Sequence, residues 1–193
     1  MNDQSRGLGS ALLAGVAVVL LSLTGCAAWR VNQSPQLARE SEPLQAAPVG
    51  ATRRLLIVGD STAVGTGATG PQASVAGLLA QAFPSLLIDN RSQDGAGFAD
   101  LLSQLNGEGH FDMVLVMTGG NDVFRLKGMD ALHRDVEGVT QRARQLADLV
   151  VLMPAGNVGN APFFWAPVSW LMTWRSRQFH GFTQQPRRPA THK

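Results

Sequence analysis

The sequence predicts an α/β fold in which helices cover both faces of a parallel sheet. Two observations point there. Short apolar runs of strand length alternate with segments of helical pattern, and three of the runs stop at a cluster of Gly, Asn, Asp or Ser. Strands buried on both faces read as continuous apolar runs, and strands that alternate with helices make βαβ units. The expected strand order is 2-1-3-4, which gathers the polar clusters at one end of the sheet, where open α/β sheets place their ligand crevice.

The first strand is the apolar run at 54–59, "RLLIVG". "PQASVAGLLAQAF" follows as a helix from Pro71, since proline suits a helix start, and Pro84 closes it. "LLID" at 86–89 gives the second strand, and "FADLLSQL" the next helix. "DMVLVMT" at 112–118 is the third strand, followed by a long amphipathic helix from Met129 to Ala147 and a fourth strand, "LVVLMP", at 149–154. The stretch "FFWAPVSWLMTWRSRQF", with Trp165, Trp170 and Trp174, predicts an apolar loop and helix lying near the crevice or a membrane. One further strand is expected after that helix in a fold of this class. Residues 181–193 instead show no strand or helix pattern and predict a disordered basic tail.

A chain of 193 residues, 45% hydrophobic and 16% charged, buries one sizeable core. Its net charge of +2 comes from the carboxyl-terminal stretch, where Arg175, Arg177, Arg187, Arg188 and Lys193 have no acid among them. No basic stripe with interleaved aromatics occurs elsewhere, which argues against nucleic acid as a partner. From Gly7 to Trp29 there is no charge, and "ALLAGVAVVLLSL" inside that span is directed to a membrane. The span ends in "LTGC", which resembles the lipobox of bacterial lipoprotein signal peptides. Cys26 is the only cysteine, so an intrachain disulfide is excluded and lipid attachment is the obvious use. An uncleaved transmembrane anchor is the other reading. Either makes the protein membrane-anchored, and the lipobox makes it extracytoplasmic, at the periplasm or cell surface. Residues 26–52 then form a linker and 53–180 the folded domain.

The turn "VGDSTAVGTG" admits two chemistries. Gly65 to Gly70 matches GxGxxG, with Asp89 about twenty residues on, as a dinucleotide site requires. Yet the strand ends six residues earlier, at Gly59, and Asp60 would repel a phosphate in the turn. The alternative presents Ser61 at the crevice mouth as a nucleophile, with small neighbours admitting a substrate carbonyl. Charge that develops on that carbonyl oxygen needs fixed donors. The amide of Asn121 and the backbone N–H groups of Gly95 and Ser61 would supply them. Turn formation alone would also account for Gly95 and Asn121.

"VGDSTAVG", "NRSQDGAG" and "TGGNDV" together resemble the first three blocks of the SGNH, or GDSL, hydrolases. The resemblance implies a three-layer flavodoxin-like sandwich and hydrolysis of acyl or acetyl esters without a cofactor, with a small ester as substrate. It places the nucleophile on Ser61 and the oxyanion hole on Gly95 and Asn121, with Gly97 as the alternative to Gly95. In this family the base and its carboxylate come from a DxxH motif after the last strand, and this sequence has no Asp or Glu after Asp148. The general base and its Asp partner are therefore unassigned. "DALH", Asp130 to His133, reads as a solvated pair on one helix face. His110 precedes a strand, at the wrong end of the sheet. His180 reads as an ordinary helix-end residue, and His192 lies in the tail. The chain looks like a GDSL hydrolase that stops before its last element, and a non-catalytic ligand-binding lipoprotein using the same crevice is the rival reading.

Overall fold

The computed structural model describes residues 41–162 and 164–183. The readings on residues 1–40, including Cys26 and the uncharged span, and on residues 184–193 lie outside them. Four strands, β1 (Arg53–Gly59), β2 (Leu86–Asn90), β3 (Phe111–Thr118) and β4 (Ala147–Pro154), form one sheet in the order β2-β1-β3-β4. Every pairing is parallel. The order and direction are those expected.

The helices are α1 (Ser61–Val64), α2 (Val75–Ala82), α3 (Phe98–Gln104), α4 (Gly120–Phe124), α5 (Met129–Leu146) and α6 (Val168–Thr183). Alternation along the strands divides the core into two layers. Leu55, Ile57, Leu115 and Met117 pack with Ile88 and Ala76 beneath α2. Leu56, Val58, Val114 and Val116 point the other way, into a larger cluster with Phe98 and Leu101 of α3 and Met172 and Phe179 of α6. α5 joins that cluster through Leu132, Val136, Val139, Ala143 and Leu146, a stripe spaced four and three residues apart that faces the core. Helices thus lie on both faces.

Four boundaries differ from expectation. The stretch from Pro71 is two elements: Pro71–Ala73 is a 3-10 turn, and Ser74, with extended backbone, restarts the chain as α2 by accepting the Gly77 N–H at 3.1 Å. α5 passes into β4 without a loop, because Ala147 is already extended. Part of the expected linker belongs to the folded body. Ala46 pairs with Ile88 by two backbone hydrogen bonds of 2.8 and 3.1 Å, and Gln45 clasps both backbone groups of Asn90. That strip covers the outer edge of β2. Finally, α6 continues through Thr183, three residues into the segment expected to be disordered.

β4 is the opposite edge. Its row Leu149, Val151 and Met153 continues the rows of Met113, Leu115 and Met117, but these three side chains are 54%, 37% and 43% exposed.

Candidate active site

The site begins where β1 ends. Gly59 approaches β3 so closely that a Cβ would lie 2.1 Å from the Met117 carbonyl oxygen, which admits only glycine. Gln104 of α3 fixes this exit: its Oε1 accepts the Gly59 N–H at 2.8 Å and its Nε2 donates to the Gly59 carbonyl at 3.0 Å. Asp60 follows, 4% exposed, and turns the chain into α1. One carboxylate oxygen accepts the Thr62 N–H at 2.9 Å, and the other accepts the Thr118 hydroxyl at 3.1 Å. Burial pushes the Asp60 carboxyl above its ordinary value, against the pull of those two donors. Ser61 is thereby held at the first position of α1, half-buried. Its N–H and hydroxyl have no hydrogen-bond partner among the described residues.

The second loop is drawn along β1 by Arg91 and Gln93, whose N–H groups donate to Ile57 and Gly59. Asn90 ties it to α1 through the Ala63 carbonyl at 3.0 Å, and Asp94 accepts the Thr66 hydroxyl at 2.6 Å. Here the two glycines differ in what their N–H groups meet. The Gly97 N–H is taken by the Asp100 carboxylate at 2.8 Å. The Gly95 N–H has no such partner among the described residues, and Gly95 adopts a left-handed backbone, φ 75°, that few other residues tolerate.

The third loop closes the site. Asn121, in α4, donates from Nδ2 to the Ala96 carbonyl at 3.0 Å, and the Thr118 hydroxyl, whose one proton is shared with Asp60, lies 3.3 Å from the same oxygen. Asp122, 4% exposed, accepts the Phe98 N–H at 2.9 Å and meets Lys127 Nζ at 3.2 Å. Burial pushes Lys127 down, and its contacts with Asp135 and Asp122 more than reverse this, so it is held above the ordinary lysine value. The loops bearing Ser61, Gly95 and Asn121 therefore belong to one network that runs Asp60, Thr118, Ala96, Asn121.

The supporting residues Gln104, Thr118 and Lys127 were not singled out by the sequence. Gln104 and Thr118 act across tens of residues, Lys127 across a few to Asp122, and only the motif positions of Asp60 and Asp122 carried a signal. The GxGxxG stretch does not meet its structural requirement: the helix that opens from β1 starts at Ser61, and Gly65 ends it, so the glycines follow that helix and do not precede it. Among the described residues no group of three or more His, Cys, Asp and Glu is placed to hold a metal.

The histidines separate by position. His110 pairs with Asp148 at 3.0 Å at the amino ends of the strands, and His133 lies exposed on α5, 4.0 Å from Glu137. His180 is different. Its Nε2 lies 2.7 Å from the carbonyl of Ala155, the residue that leaves β4 and donates its own N–H to Thr118. A carbonyl can only accept, so Nε2 carries the proton and Nδ1 is the basic nitrogen.

Known proteins resemble the chain in its fold. No curated protein matches the chain. Among solved structures, a protein assigned to the lipolytic G-D-S-L family from Desulfitobacterium hafniense shares the fold at 13% identity, covering 68% of this chain and 72% of that one, with a TM-score of 0.53. TesA is 26% identical over 67% of this chain and 72% of its own, with a TM-score of 0.50. The acetylxylan esterase Axe2 from Geobacillus stearothermophilus is 19% identical over 71% and 75%, with a TM-score of 0.48. A family model matches residues 57–185, from within β1 to beyond α6. Taking in all three loops and more than half of the sequence, that match makes the chain a member of the GDSL-like lipase/acylhydrolase family.

Proposed function

We propose that this protein hydrolyses acyl or acetyl esters through Ser61. The observation that carries the reading is the state of three donors at one sheet end. The N–H groups of Ser61 and Gly95 lack partners among the described residues, and the Asn121 amide, with two hydrogens, uses one on Ala96. Attack by the Ser61 oxygen on an ester carbonyl develops a negative charge that these donors would stabilise, and collapse of that intermediate expels the alcohol and leaves an acyl-serine that water then releases. Gly95, rather than Gly97, supplies the second donor.

No carboxylate contacts His180, so the histidine and carboxylate pair of a full triad is not assembled among the described residues. Oxyanion stabilisation and binding alone leave roughly 10³ to 10⁴-fold acceleration over water in serine hydrolases that lack triad members. Slow turnover of an activated aryl ester is expected, with weak fluorophosphonate labelling. Ser61→Ala should abolish both, and turnover unchanged by that substitution would refute the proposal. His180→Ala tests the one described histidine at this end of the sheet: a fall in turnover with loss of its pH dependence assigns Nδ1 as the base.

The uncharged amino-terminal span and "LTGC" support anchoring of the mature protein through lipidated Cys26, on the extracytoplasmic side of a membrane. Cys26→Ser should block lipid attachment and signal cleavage, and an intact Met1 to Trp29 segment on the wild-type chain in mass spectrometry would replace the lipid with a helical anchor.

A further inference from the structure

α6 carries large apolar side chains on two opposite faces. Met172, Ser176 and Phe179 are buried against the core. The opposite stripe, spaced four, three and four residues apart, carries Trp170, Trp174, Arg177 and Gly181, all exposed. Trp170 is 70% exposed and Trp174 55%, with Leu171 beside them and Trp165, at 63%, in the turn that leads into the helix. Large apolar side chains exposed together mark a surface that a partner or a membrane covers. Two facts identify the cover. The stripe pairs indoles, which have an apolar body and one N–H donor, with a guanidinium that has no ion pair among the described residues. And the sequence from Leu149 to Lys193 contains no acid, so nothing there opposes an anionic surface.

We propose that this face of α6 docks on the surface of a bilayer containing anionic phospholipid, with the helix in the plane of the interface. Indoles settle at the headgroup level, and arginine pairs with the phosphates. Crossing is not involved, since no helix among the described residues is long and apolar enough to span a membrane. The docked surface reaches the candidate site. Phe164, next to Trp165, stacks on Phe124 at 5.9 Å, and Phe124 belongs to α4, the helix that carries Asn121. The crevice mouth would therefore face lipid. This docking does not depend on ester hydrolysis or on how the amino terminus is anchored.

The test uses the full chain with Trp29→Phe, so that Trp165, Trp170 and Trp174 are the only reporters. It is reconstituted into phosphatidylcholine vesicles with and without phosphatidylglycerol, with brominated phosphatidylcholine as quencher. Blue-shifted emission and quenching are expected, stronger with phosphatidylglycerol. Arg177→Gln should lower the docked fraction relative to the undocked about fivefold, the effect of one cation at an anionic surface. Trp170→Ser with Trp174→Ser, both at exposed positions, leaves Trp165 as the reporter, and the fraction of its emission quenched should fall with the two anchoring indoles gone. Emission typical of indole in water and indifferent to brominated lipid overturns the proposal, as does quenching of Trp165 in the double variant as complete as that of the unsubstituted chain. Emission that is shielded without lipid contact and grows with protein concentration also overturns it, in favour of a second copy as the cover.

Discussion

Adding one methyl group at Gly97 should dismantle the anchor of the second loop. Its Cβ would lie 2.7 Å from Asp122 Oδ1 and 3.1 Å from both Cγ and Oδ2. An exposed carboxylate would swing away at little cost. This one cannot, because Oδ2 holds the Phe98 N–H and Oδ1 holds Lys127, in a position where Asp122 is 4% exposed. Ordinary van der Waals contact requires a shift of several tenths of an ångström, enough to break the bond to Phe98. A hydrogen bond to a charged group contributes about 1.5–3 kcal/mol, and forcing a methyl into a packed site costs about 1–3 kcal/mol, so Gly97→Ala should destabilise the fold by about 2–5 kcal/mol. Urea denaturation measures it as a lower midpoint at unchanged slope. A cycle with Asp122→Ala isolates the cause. With the carboxylate gone the clash goes too, and Gly97→Ala in that background should cost less than about 1 kcal/mol, since contacting residues are coupled. Equal costs in the two backgrounds, or a single-variant cost below about 0.5 kcal/mol, within the range of neutral surface changes, would refute the reasoning.

Gln104→Leu should cost about 1–3 kcal/mol by urea denaturation, because the buried Gly59 N–H loses its acceptor while the Gly59 carbonyl keeps the Gln93 N–H. Asn121→Ala should reduce ester turnover about 10² to 10³-fold if its amide stabilises the oxyanion, with stability measured alongside to separate the two effects. Asp60 makes stability depend on pH: an acid whose folded value is raised binds its proton better folded than unfolded, so stability falls as pH rises from the ordinary value of 3.8 through the raised one. Asp60→Asn should flatten urea midpoints across that window, and parallel profiles for the two proteins would remove Asp60 as the source. Leu149→Lys, on the exposed row of β4, should leave stability within about 1 kcal/mol and weaken any self-association seen by sedimentation, because a charge on an edge strand opposes pairing.

The strands were legible because parallel strands covered on both faces need apolar residues at every position, and runs such as Leu55 to Val58 supply them. The site was legible as three polar loops because nothing else in a buried strand pattern explains Asp60, Asn90 and Asn121 at successive exits. What escaped depends on pairings that only the folded backbone reveals. Gly95 and Gly97 are equivalent as letters, and only the Asp100 carboxylate on one N–H distinguishes them. Ala46 joins β2 through backbone groups alone, which leave no side-chain signature. Ser74 divides an apparently continuous helix because its hydroxyl caps a new start, while the periodicity on either side differs little. The apolar residues of α6 announced burial, but composition could not say that its tryptophans face away from the core.

The two edges of the sheet have unequal fates. The chain's own Gln45 and Ala46 seal β2, whereas the outer edge of β4, beside Leu149, Val151 and Met153, has no strand partner among the described residues. A sheet open on both sides can add copies indefinitely and grow into a fibre. A sheet sealed on one side accepts a single neighbour. Two copies that met through β4 would each offer the other the one edge left open among the described residues, so growth along the sheet stops at a closed, two-fold pair. Residues 45 and 46 thus act on assembly from the far side of the sheet: losing their pairing to β2 would free a second edge and turn a terminating contact into a propagating one.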